Sequence, residues 1–459
     1  ILIFDPRKIK CNLFLGYIYL IQTKKQIMKK LSLAVFSFLM AGTVLSQENN
    51  IKFKEFELDN GMHVILHQDN STPIVAVSVM YHVGSKNEIE GKTGYAHFFE
   101  HLMFEESKNI ERDQYAKIAQ SVGGTINANT SNDRTYYHCI LPSNQLELGL
   151  WMESERMLNA VIKQNGVDNQ REVVKEEKRT SDNRPYSSWY PEISKRMFKG
   201  TNYAWTPIGS FADLNAASIQ DFQDFYNKYY VPNNATLVIA GDINEEEAKK
   251  HISKYFSTIP RGTTEIERPV VSGELMTKAI VDTVYDNIQL DAMFKAYKVP
   301  PQGTKDAYAL EMLSTLLSNG KSSRLNIALK EKKQIALQVA GFSMSFESSG
   351  FFTTLGLPNQ GHTIEEIRDG IKVEIKKIQD ELISEEEFQK IQNQTESSFV
   401  SGNSRVAGIA SSLAEYHVFF KDANLINTEL KKYQEVTRED IQRATGQRHR
   451  ASIRRCLGQ

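Results

Sequence analysis

The residues of this chain best placed to do chemistry are two histidines four positions apart with a glutamate beside the second: His97-Phe98-Phe99-Glu100-His101. On a helix, His97 and His101 sit one turn apart and project from a single face, which Glu100 shares. Two imidazoles so placed can hold Zn²⁺, and the neighbouring carboxylate can take a proton from water activated by the ion. The order H-x-x-E-H inverts the commoner H-E-x-x-H. Among ten histidines, such a match arises by chance in roughly one comparable chain in a hundred. Alone, the motif does not exclude an ordinary surface helix.

A zinc site that does chemistry needs a third protein ligand and an open position. Downstream, NQREVVKEEKR offers Glu172, Glu176 and Glu177 on one helix. Most such runs are solvated charged faces. The half-built metal site raises the weight of these carboxylates, with Val173-Val174 marking the buried side. Spacing alone does not choose among the three.

Several elements must position these groups. IKFKEFELDNGMHVILHQ (51–68) alternates on either side of Asn60-Gly61 and reads as a hairpin. A buried strand is expected over 74–83, a helix over 93–104 carrying the motif, and another over 112–122 that ends at Gly123-Gly124. Strands follow at 125–129 and 134–141, then helices at 144–162, 166–182 and 213–229, and a strand at 235–240. A polar stretch around 260–269 is the candidate linker. The second half repeats the plan: strands near 277–283 and 288–298, helices at 305–318 and from Ser322, strands at 335–346 and 350–357. Helices then cover 363–381, 384–400 and 404–420. Mixed elements without strict alternation indicate α+β layers. After the helix at 438–444 an apolar strand is due, but the chain reads GQRHRASIRRCLGQ. That tail, about 446–459, is expected to be featureless.

Composition sets outer bounds. A chain of 459 residues suits two domains. Hydrophobic content of 41%, charged content of 24% and a net charge of −1 describe a soluble globular protein with no polyanion partner such as nucleic acid. Cys11, Cys139 and Cys456 have no metal-ligand spacing, and their odd number opposes a disulfide framework. Cys139, in YYHCIL, reads as a core thiol. No further His, Cys or carboxylate cluster appears, which leaves metal storage or transport without support.

The start of the chain reads as targeting sequence. Residues 28–46 (MKKLSLAVFSFLMAGTVLS) have the basic, apolar and small-residue parts of a signal peptide. Their apolar stretch is shorter than the roughly 18 residues that span a bilayer. An uncleaved membrane anchor is therefore the less favoured reading, and an exported, periplasmic protein beginning near Gln47 the favoured one. Residues 1–27 read as a leader or as upstream sequence outside the fold.

GYAHFFEHLMF followed by Glu177 in REVVKEE resembles the pitrilysin, insulysin and mitochondrial processing peptidase family of zinc metallopeptidases. The similarity runs through GGTINANTSNDRTYYH, TPIGSFADL, YYVPNNATLVIAGDI and GKSSRLNIALKEK, and covers nearly all of residues 51–445. The resemblance implies two homologous α+β domains, each a mostly antiparallel sheet packed against helices: a catalytic one at 47–262 and a non-catalytic one at 270–459. It implies one zinc per chain, held by His97, His101 and Glu177, with Glu100 as general base. Gln170 stands where several relatives carry a second acidic residue near the metal. Asn127 and Ala128 match the strand edge along which relatives lay a peptide backbone. Arg324 matches an arginine that contacts the substrate carbonyl region, but Gln338 replaces the tyrosine that works with it. The resemblance further implies a peptide substrate and pairing with a homologous chain. This would be a homodimer, or a heterodimer whose partner supplies the Arg/Tyr clamp. A subunit that binds peptides without cleaving them is the competing reading.

Overall fold

The computed structural model describes residues 50–271, 279–446 and 451–458. Residues 1–27, the signal segment 28–46, Cys11 and the expected start at Gln47 lie outside the described residues. Strands β1 (Lys54–Glu57) and β2 (His63–Gln68) form the hairpin, with Gly61 at φ +84° in its turn. They join β3 (Ile74–Tyr81), β4 (Thr125–Thr130), β5 (Thr135–Pro142) and β6 (Ala235–Gly241) in a sheet ordered β1-β2-β6-β3-β5-β4. Only the β2–β6 pair in this sheet is parallel.

A second sheet holds β7 (Ile280–Asp286), β8 (Ala292–Val299), β9 (Ala336–Ser345), β10 (Gly350–Pro358) and β11 (Ala451–Gly458), ordered β7-β11-β8-β10-β9. Its plan is that of the first sheet without β1. β11 lies parallel to β7 and antiparallel to β8, as β6 does to β2 and β3. The C-terminal tail expected to be featureless is thus a central strand. Its slot between two strands pairs backbone groups on both sides, and this ladder operates without an apolar run.

Both sheets are covered on both faces, so inner strands such as β3 and β6 read as near-continuous apolar runs. In the first, Val75, Val77, Val79, Leu237 and Ile239 pack with Phe98 and Phe99 in one core. The opposite face, with Ile65, Ala76, Met80, Val238 and Ala240, packs against Ile409, Ala410, Leu413 and Val418 of the helix Val406–Phe420. That helix comes from the second half of the chain. In return the helix Trp189–Met197 covers a face of the second sheet, where Trp189 stacks on Phe294 with centroids 5.6 Å apart.

Two expected helices differ from the structure. The single helix over 213–229 is two, Phe211–Ala216 and Ile219–Tyr229, because Ser218 leaves the helical backbone to cap the second. The helix from Ser322 contains a π-helical stretch, Asn326–Lys332. Among the described residues no helix is long and apolar enough to cross a membrane.

Candidate metal centre

The motif helix spans Tyr95–Leu102, and contacts with residues 208–213 fix its start. Gly94 takes φ +88°, and a Cβ there would lie 2.8 Å from the Ile208 carbonyl oxygen. Only glycine fits both the conformation and the contact. Thr93 N–H donates to Asp213 Oδ2 at 3.1 Å, and Ser210 N–H donates to Thr93 Oγ1 at 3.2 Å. These bonds bring TPIGSFADL against the head of the helix.

Glu88 completes the cap. Its carboxylate accepts from Ala96 N–H at 2.8 Å, Gly94 N–H at 3.0 Å and the Trp205 indole N–H at 3.0 Å. Burial pushes this carboxyl up to about 8, while the Ala96 and Gly94 donors act in the opposite direction. Sequence reasoning missed Glu88. The one signal for it was an acidic residue shortly before a helix start, where the macrodipole favours negative charge.

Phe98, Phe99 and Leu102 bury one side of the helix in the core and leave the two histidines on the other. The second helix, Gln164–Asp182, lies across it. His97 Nε2 stands 3.6 Å and His101 Nε2 3.4 Å from Glu177 Oε2. The three glutamates left open by spacing separate cleanly. Glu172 pairs with Lys175 and Glu176 with Arg179 on the solvent side, and Glu177 alone turns to the histidines. Val174 is buried, but Val173 is 48% exposed, so the expectation that both valines mark the inner side holds for one only. Adjacent helical positions are 100° apart and cannot share a narrow buried stripe. Arg171 anchors this helix by donating to the Leu214 and Ala217 carbonyls at 3.0 and 2.6 Å.

The donor set suits a divalent transition metal: two imidazoles and a carboxylate whose donor atoms gather in one small space. Burial, then the neighbouring His101, lowers His97 to about 4, so its ring is neutral at pH 7 and offers a lone pair. The hydrogen bond to His101 holds Glu177 below the usual carboxylate range and keeps it anionic. Glu100 is raised by burial, and the Thr130 hydroxyl donates to its Oε2 at 2.6 Å.

Thr130 ends β4, the edge strand of the first sheet. On that strand Asn127 is exposed, and its Oδ1 accepts from Ala128 N–H at 2.9 Å. That N–H therefore does not serve β5. Gln170 lies two turns before Glu177, and its amide donates to Glu105, which is also ion-paired with Arg112. Arg324 is far along the chain from these groups and forks onto Glu387, with Nε–Oε1 and Nη2–Oε2 distances of 2.8 and 2.7 Å. Gln338 is exposed on β9, the edge strand of the second sheet.

Comparison with known proteins bears on both halves. Residues 63–208 match the model described as Insulinase (Peptidase family M16), and residues 216–395 match the Peptidase M16 inactive domain. The Zinc protease PqqE of Helicobacter pylori (strain ATCC 700392 / 26695) is 31% identical over 371 residues, 80% of this chain and 84% of that protein. A crystal structure of a protease from Helicobacter pylori superposes with a TM-score of 0.83 at 28% identity, covering 88% of this chain and 99% of that one. The periplasmic protease PqqL from Escherichia coli shares the fold, with a TM-score of 0.74 at 19% identity; the match covers 88% of this chain and 47% of PqqL. Matched in both halves and over most of its length, the chain belongs to peptidase family M16.

Proposed function

We propose that this chain is a zinc-dependent endopeptidase that hydrolyses unfolded peptides. The observation that carries the reading is the convergence of His97 and His101 on Glu177, each imidazole within 3.6 Å of its carboxylate, with Glu100 bonded to the end of an edge strand. His97, His101 and Glu177 are the residues to hold one zinc ion per chain. Bound there, zinc supplies Lewis acidity, which polarises a carbonyl and lowers the pKa of water. Glu100 takes the proton from the attacking water and passes it to the leaving amine. Its raised proton affinity suits a base that must hold that proton between the two transfers. Thr130 aims the Glu100 carboxylate through their hydrogen bond.

An extended peptide adds to β4 as a further strand, with Asn127 and Ala128 offering backbone groups. The Asn127 side chain, which now caps Ala128 N–H, gives way to the substrate carbonyl. Residues 47–262 form the catalytic domain and residues 270–459 the non-catalytic one. Gln170 steadies the Glu177 helix through Glu105. The ion pair that holds Arg324 on Glu387, together with Gln338 in place of a tyrosine, supports pairing with a homologous chain. Either a second copy or a partner carrying the Arg/Tyr clamp meets this need. The signal-like segment 28–46 supports export to the periplasm.

The test is zinc content measured together with cleavage of a fluorogenic peptide, with and without chelator, on residues 47–459. Glu100→Gln retains zinc and loses about 10²–10⁴-fold in rate. His101→Ala loses the zinc held with His97 and Glu177, and the activity with it. Full activity in Glu100→Gln refutes the assignment. Activity that appears only when a homologous chain is added supports the heterodimer.

A further inference from the structure

A second set of metal-ligand residues lies on the other face of the first sheet, in a chain whose sequence displays no cluster beyond the motif. Glu57 pairs with His63 and Glu55 with Ile65 across the β1–β2 hairpin, so all four side chains share one face. The helix Val406–Phe420 covers that face and brings His417 over His63. The two imidazoles stack with centroids 3.5 Å apart and planes 6° from parallel. His63 Nε2 stands 3.1 Å from Glu55 Oε2. One donor atom from each of Glu55, His63 and His417 lies within 4.8 Å of the others, the same span that gathers His97, His101 and Glu177.

We propose that Glu55, His63 and His417 form a second metal site, which takes a borderline divalent ion such as Zn²⁺ and clamps the helix Val406–Phe420 onto the first sheet. Two imidazoles and a carboxylate select Zn²⁺, Ni²⁺ or Cu²⁺ over the oxygen-seeking Ca²⁺ and Mg²⁺. Lys421 lies near both rings and opposes a cation, while Glu55 and Glu57 outnumber it. The Glu55 side chain is 46% exposed and gives an ion a path from solvent. Parallel stacked rings do not aim their lone pairs at one point, so capture turns His417 about χ2 out of the stack.

The clamped helix reaches the candidate active site. Its Glu415 meets Arg134 at 3.4 Å, and Arg134 donates to the Asn129 carbonyl on β4 at 3.1 Å. An ion at His417 thus steadies the helix whose Glu415 braces the edge strand through Arg134.

Zinc per chain after dialysis against excess Zn²⁺ tests the proposal, with circular dichroism to confirm folding. The parent chain binds two equivalents, His417→Gln one, His97→Ala/His101→Ala one, and the three changes combined none. His63→Gln is the second probe of the site and also binds one. Added Zn²⁺ raises the melting temperature of His97→Ala/His101→Ala, and this rise disappears when His417→Gln is added. Equal zinc content in the parent chain and in both His417→Gln and His63→Gln overturns the second site. Failure of the His97 site alone reads out separately, as an undiminished zinc content in His97→Ala/His101→Ala.

Discussion

Truncating Glu88 to alanine should loosen the motif helix at its origin, and the size of the effect follows from the hydrogen bonds it breaks. The carboxylate serves Gly94 N–H, Ala96 N–H and the Trp205 indole. Trp205 keeps a second acceptor, the Ser85 carbonyl at 3.1 Å. Truncation therefore strands two backbone donors at a residue only 3% exposed. Each stranded donor costs about 1–3 kcal/mol. Water entering the vacated space recovers part of this, leaving a net loss of about 1–5 kcal/mol. Glu88→Gln retains one acceptor and sets an amide NH₂ against the other donor, so it should fall between the parent and Glu88→Ala. Urea denaturation followed by tryptophan emission measures the loss, and Trp205 lies directly against the site. The expected signature is a lower midpoint with an unchanged slope. Zinc affinity should fall in parallel, because His97 lies in the first turn of this helix. A loss below about 1 kcal/mol in Glu88→Ala, or a Glu88→Gln chain weaker than Glu88→Ala, refutes the capping role.

Thr130→Val removes the hydroxyl that orients Glu100 and should lower kcat by about ten- to a hundredfold, with zinc content unchanged; hydrogen bonds to charged groups are worth about 1.5–3 kcal/mol. An unaltered kcat would separate Thr130 from the chemistry. Ala128→Pro deletes the N–H turned away from β5 and should raise KM for long peptides with little effect on zinc; an unchanged KM argues against strand addition at this edge. Glu347 tests the junction between the halves. Burial raises its carboxyl, but the His82 bond and the Lys86 charge outweigh burial and bring it to about 2. A depressed carboxylate stabilises the fold above its unfolded pKa, and that contribution fades as pH falls from about 4.5 towards 2. The full shift corresponds to about 3 kcal/mol at neutral pH. Glu347→Gln should therefore cost stability at pH 7 and little near pH 2, so a pH-independent difference in urea midpoint contradicts the assignment.

Legibility in the sequence followed the range of the interaction. The hairpin at Asn60-Gly61, the motif helix and the apolar runs of β3 and β6 are written in local pattern and appear within a few residues of their expected ends. The break at Ala217-Ser218 was missed because FADLNAASIQDF keeps a helical pattern across it, and a single serine cap decides the matter. β11 was missed because its strand is placed by partners on both sides rather than by its own residues. In the candidate site, spacing gave the two histidines and left three glutamates open. The family resemblance chose Glu177; the residues alone could not, because that choice depends on which side of its helix meets the motif helix, a tertiary fact. The His63–His417 pair was hidden for the same reason, since nothing in a sequence marks residues so distant as neighbours, whereas Glu88, six positions before Gly94, left only the weak mark of an acidic residue ahead of a helix start.

The exchange of helices between the halves explains why the site is organised as it is. A two-faced sheet needs cover on both sides, and each half lends the other a helix for its second face. The helix Val406–Phe420 has its apolar side on β3 and β6, the strands whose opposite face holds Phe98 and Phe99 under the motif. Displacing it would uncover the back of the sheet on which the histidines are mounted. The same helix sends Glu415 to Arg134 beside β4, so the second half acts on the edge strand without contributing a ligand to the centre. A chain cut in the polar stretch at 260–269 would therefore lose more than a neighbour. The first half alone would expose Ile65, Ala76, Met80 and Val238 to water. At about 25 cal/mol per Å² of apolar surface, such an uncovered face makes independent folding of the first half unfavourable. The half that carries none of the motif residues is on this account a structural part of the half that carries them.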